Sequence, residues 1–112
     1  MKKLLLICAL MTVSIYAEAS SYASQQKVKK VNHGQRIFRN KLQRKCGFTA
    51  SHWASQHTKN EWESFQDNGT FKEELVAMCK RNITPILKDK WEEPLYLFAV
   101  EYAKDTGNKP RC

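Results

Sequence analysis

From Val31 onward the apolar residues fall at helical intervals. Val31, Phe38, Leu42 and Cys46 share one side of a helix, with Ile37 beside them. Asn32 with Gln35 three positions on is a variant of the capping box, and Gly47 stands where a helix end favours a left-handed residue. The pattern predicts a first helix over about 33–46. Ala50 to His57 reads as a short helix capped by Thr49. Thr58-x-x-Glu61 is a capping box that opens the next helix, which carries Trp62 and Phe65 on one side and is broken by Asp67-Asn68-Gly69. Thr70-x-x-Glu73 is a second capping box. Phe71, Leu75, Met78 and Cys79 form the stripe that follows it, ending near Arg81 or Asn82.

Thr84-Pro85 resembles a cap followed by a first-turn proline, opening one short turn toward Trp91. Pro94 opens the last helix in the same way. Its buried face is Leu95, Phe98, Ala99, Tyr102 and Ala103, and Gly107 ends it. No stretch alternates with period two. The fold expected is all-α: a single small helical domain over 31–112 with about five or six short helices.

Ahead of that domain the pattern changes. Lys2 and Lys3 precede an apolar run from Leu4 to about Tyr16, and Ala17-Glu18-Ala19 offers a small-residue cleavage site. This reads as a secretory signal peptide over 1–19. The run is shorter than the roughly 20 apolar residues a spanning helix needs. Cleavage after Ala19 would leave a soluble periplasmic chain, with 20–30 as a flexible basic arm. The 112 residues carry a formal charge of +8, which becomes +7 once the leader is removed.

An extracytoplasmic location makes the cysteines structural candidates. Cys8 leaves with the leader, and Cys46, Cys79 and Cys112 remain. Both sequence gaps are 33 residues, so loop entropy does not separate the two neighbour pairings. Cys46 and Cys79 close apolar stripes, whereas Cys112 ends a tail with no packing pattern. The expectation is therefore a disulfide that includes Cys112, to Cys46 or Cys79, with the remaining thiol buried.

Chemistry-bearing residues concentrate between Cys46 and Trp62. His52, Trp53, His57, Trp62 and Met78 form the candidate ligand site. His52, His57, Met78, Cys46 and Cys79 are metal ligands by type. The two histidines are five apart, however, and no C-x-x-C or H-x-x-x-H spacing occurs, so no metal site is assigned. Cys46, His57 and Glu61 could form a nucleophile with its base, but a disulfide is the ordinary fate of Cys46 outside the cytoplasm. No catalytic role is assigned. Arg36, Arg39, Lys41, Arg44 and Lys45 make a basic face on the first helix, suited to an anionic surface. The aromatic residues lie on the apolar stripe, not among these cations, which gives no base-stacking platform for specific nucleic-acid binding.

Gly34-x-x-Ile37-Phe38 resembles the first helix of class I c-type cytochromes, and Leu95 to Ala103 resembles their aromatic-rich last helix. The chain beyond its leader is also similar to small periplasmic Gram-negative proteins with a Cys-Gly-Phe, His-Thr and Glu-Trp core and a terminal Gly-Asn-x-Pro-x-Cys. The resemblance implies a cytochrome-c-like layout in which the first and last helices cross at Gly34, with Phe38, Phe98 and Tyr102 filling the contact. It also raises haem as a cofactor. The C-x-x-C-H attachment motif is missing: Cys46 is followed by Gly47-Phe48 and Cys79 by Lys80-Arg81. Axial roles would fall to His52 or His57 with Met78. The function expected is a secreted, non-enzymatic binding or adaptor protein with this layout and a periplasmic redox or other protein partner. A cytochrome-like electron carrier or haem-handling accessory is the alternative. Binding to an anionic surface through the basic first helix is a further alternative.

Overall fold

The computed structural model describes residues 23–110, and within them the chain is all-α, with five helices and no strand. Helix α1 covers residues 23–46. It widens into a π turn over Phe38–Leu42 and returns to α geometry over Gln43–Cys46. The buried positions explain the wide turn. Gly34, Phe38, Leu42 and Cys46 are all buried and four residues apart. At 3.6 residues per turn, such spacing would carry each successive side chain about 40° away from the core. A wider turn holds Leu42 and Cys46 inward. Residues 23–30, expected as a flexible arm, continue α1 backwards as helix with their side chains largely exposed. The leader assigned to 1–19 lies outside the described residues.

Gly47, at φ 84°, caps α1 and donates its N–H to the Gln43 carbonyl. Helix α2 is Ala50–Ala54, and its cap Thr49 accepts from the His52 amide at 3.1 Å. Helix α3 is Lys59–Asp67 and opens with the complete Thr58–Glu61 capping box. Helix α4 is Phe71–Met78, shorter than expected, and its Thr70 makes no side-chain cap. The Thr70 hydroxyl bonds instead to the Phe65 carbonyl, because the tight Asn68–Gly69 turn brings the end of α3 within its reach. The 84–86 stretch is a turn, not a helix. A 3₁₀ turn at Asp89–Trp91 leads into helix α5, Glu92–Glu101. Pro94 lies in the first turn of α5, where its missing N–H costs no helical bond.

Helix α5 is central and packs against α2, α3 and α4. It also meets α1 at Gly34. A Cβ placed on Gly34 would lie 2.1 Å from the Pro94 carbonyl oxygen and 3.1 Å from the Phe98 Cβ. Only glycine lets the two backbones come this close. Beneath the crossing, Trp53 is fully buried between two rings. Phe38 stacks on it at 5.0 Å, and Phe98 lies parallel at 6.3 Å. Trp62 and Phe71 present their edges to the same indole. The Trp62 indole donates to the Ala54 carbonyl at 2.9 Å.

The disulfide joins Cys46 to Cys79, which overturns the expectation of a bridge to Cys112. The two stripes close at the same point in space. The Lys80 and Arg81 amides donate to the Cys46 and Lys45 carbonyls, so the end of α1 and the segment after α4 run side by side. Cys112 lies outside the described residues.

Candidate functional site

His57 sits in the linker between α2 and α3, held from several directions. Its Nε2 is 2.9 Å from Glu74 Oε1 on α4, and its Nδ1 is 3.6 Å from Glu61 Oε2 on α3. Trp62 and Phe65 pack against the imidazole nearly at right angles, at 4.8 and 4.9 Å. The His57 carbonyl accepts from the Lys104 amide, and the neighbouring Lys59 amide donates to Asp105. The turn after α5 is thereby tied to the start of α3. Glu61 has two tasks: one carboxylate oxygen takes the Thr58 amide in the capping box and the other faces His57. The Thr58 amide and hydroxyl bonds, with His57 adding to them, hold the Glu61 carboxyl below its ordinary value.

The five residues proposed as a ligand site divide among four environments. Trp53 and Trp62 are core, packed against each other at 5.2 Å. His57 is on the rim, against Trp62. His52 is exposed on α2, where its Nε2 lies 3.2 Å from the Gln56 amide nitrogen and its ring approaches Phe48. Met78 is half-buried and packs against the core cluster. The partners of His52 and those of His57 share no member. No group of three His, Cys, Asp or Glu side chains among the described residues could hold a metal ion.

These residues do not fit a haem. Its macrocycle would need a slot lined by axial ligands, but the interior beside Trp53 is occupied by Phe38 at 5.0 Å and Phe98 at 6.3 Å, all three fully buried. Both nitrogens of His57 face carboxylate oxygens, and neither is directed at an iron. The Trp53 indole N–H is buried and has no hydrogen-bond partner among the described residues. The Cys46 sulfur is bonded to Cys79, and a Cys46–His57–Glu61 arrangement has no thiolate to offer.

The basic face is a real surface. Arg36, Arg39, Lys41 and Arg44 are exposed, and Lys45 is half-buried. Lys27, Lys29 and Lys30 extend it, which puts eight Lys or Arg and no Asp or Glu within residues 23–46. Lys30 pairs with Glu93 of α5 at 2.7 Å. One feature of this face was not visible in the sequence. His33, Arg36, Asn40 and Lys41 rim a hollow of about 240 Å³ whose apolar lining is Ile37 and Trp91. Trp91 stands 50 positions beyond Lys41 in the chain, and the only local signal was the run of cations opposite the apolar stripe. The Lys88 ammonium lies 5.5 Å from the centre of the Trp91 ring. No helix of the described residues is long and apolar enough to cross a membrane. Compared with protein families, curated proteins and solved structures, the chain matches none.

Proposed function

We propose that this chain is a small, secreted, non-enzymatic binding or adaptor protein of the periplasm, released from its leader near Ala19. The observation that carries this reading is the closed aromatic interior. Phe38, Trp53 and Phe98 are fully buried in the core, and the His57 nitrogens face Glu61 and Glu74. The groups left to meet another molecule are at the surface, above all the acid-free cationic face of α1. The alternative, a cytochrome-like electron carrier, draws support from the close approach of α1 and α5 at Gly34. It lacks an iron ligand pair.

Visible spectroscopy separates the two readings. Protein secreted by a host with haem-maturation machinery should be folded and colourless. A Soret band that co-purifies in stoichiometric amount would overturn the binding-protein reading in favour of the electron carrier.

A further inference from the structure

We propose that the outer side of α1 docks on an anionic phospholipid surface, with a headgroup phosphate seated in the hollow above Trp91. The inference rests on the binding-protein reading and names the partner of its cationic face. Charge complementarity is the first support. A helix of 24 residues is about 36 Å long, and this one carries eight cations and no acid of its own, although Lys30 pairs with Glu93 and Lys27 shares a hollow with Glu101. Each cation near an anionic leaflet adds attraction of a size that makes several together a stable contact.

The second support is the chemistry of the hollow. Its polar rim consists of His33, Arg36, Asn40 and Lys41, all able to donate hydrogen bonds, and no acidic side chain lines it. Its floor is the apolar pair Ile37 and Trp91, which are 5% and 8% exposed and so offer it a narrow apolar strip. Inorganic phosphate or an acidic protein side chain would use the rim and leave the floor idle. A phosphate joined to a glycerol and acyl chains uses both. Indole rings favour this boundary between apolar chains and polar headgroups.

The test is flotation of the purified protein, without its leader, with phosphatidylcholine vesicles containing or lacking phosphatidylglycerol. Binding is expected only with phosphatidylglycerol and should weaken with salt. The double variant Arg36→Ala/Lys41→Ala should bind about thirtyfold more weakly, the effect of two cations beside an anionic surface. Lys104→Ala/Lys109→Ala, equal in charge but on the exposed turn and tail after α5, should bind like the parent. Brominated phosphatidylglycerol should quench tryptophan fluorescence more in the parent than in Trp91→Phe, since Trp91 is 8% exposed at the hollow whereas Trp53 and Trp62 are fully buried.

Absence of vesicle binding at low salt would overturn the proposal. So would equal losses in the two double variants, which would reduce the contact to diffuse charge. Inorganic phosphate or an acidic peptide that binds the α1 face while vesicles do not would also overturn it. A Soret band, by contrast, would break the binding-protein reading without touching the vesicle result, so the two failures are distinguishable.

Discussion

Helix α1 is fixed to the rest of the protein in two different ways along its length. In its middle, at Gly34, it lies directly on α5 because a side chain is absent. At its end, at Cys46, it is tied to the segment after α4 by a covalent bond and two backbone hydrogen bonds. The first contact is selective about shape and tolerates no added atom. The second limits how far the chain can separate, in the folded and the unfolded state alike. The difference bears on the proposed docking, because the cations of α1 are carried by the same helix. A face that must present several charges in register needs a rigid support, and α1 has one at each of these two places.

Breaking the covalent tie should have the largest effect. The bridge closes a loop of 33 residues, for which chain entropy gives about 3.5–4 kcal/mol, within the 2–5 kcal/mol typical of small secreted domains. Cys46→Ser/Cys79→Ser should lose about that much in urea unfolding. A loss under about 1 kcal/mol would mean that the packed contact alone holds α1.

Gly34→Ala comes next. Alanine is the better helix former by about 0.5–1 kcal/mol. Here the new methyl group would sit 2.1 Å from a backbone oxygen of α5, an atom that can move only if the helix moves. Overpacking of this kind costs about 1–3 kcal/mol, so the clash should win and leave a net loss of about 1–2 kcal/mol. A melting temperature equal to or above the parent's would remove the close approach. Combining this change with loss of the bridge sharpens the comparison. Independent supports give additive losses, whereas a coupling above about 0.5 kcal/mol would show that the two contacts share strain.

The smallest effect should come from acid. Neither Gly34 with Pro94 and Phe98 nor the bridge itself contains a titrating side chain, so low pH should act first elsewhere. The Glu61 carboxyl is held down mainly by the Thr58 backbone bond, and the Asp89 carboxyl by Lys72. A carboxyl with a depressed folded value stabilises the protein above its unfolded value, and that stability disappears as pH falls through the folded value. Glu61→Gln should therefore flatten the acid side of the stability profile by lowering stability slightly at neutral pH while leaving the acid end nearly unchanged. Gly34→Ala and the bridge-free variant should keep the parent's slope. The check is a series of melting temperatures from neutral pH down through the acid limb. An unaltered limb in Glu61→Gln would shift the acid response to Asp89.

Much of this framework was legible because its causes are local. Thr49 and Thr58 cap helices since their hydroxyls reach amides three residues on, and Gly47 ends α1 because only glycine takes its positive φ without strain. Thr70 carries the same four-residue signature and does not cap, because its backbone (ψ 11°) lies outside the extended region from which Thr49 and Thr58 (ψ 162° and 165°) aim their hydroxyls at the third amide. The candidate ligand site was legible only as a set of residue types. Its five members lie close in sequence or on stripes, but α2 turns His52 outward while the linker turns His57 toward Glu61 and Glu74.

The sequence by itself determined the all-α class, the apolar stripes and the run of cations without an acid over residues 23–46. Periodicity, capping and charge are properties of a few neighbouring residues, and the chain cannot hide them. Tertiary structure alone decided which cysteines meet, since equal gaps of 33 residues left the pairing entropically open. It also decided the π turn that keeps Leu42 and Cys46 inward, and the meeting of Trp91 with His33, Arg36 and Lys41. Each of these depends on where a distant segment comes to rest, which is fixed only when the whole aromatic core closes.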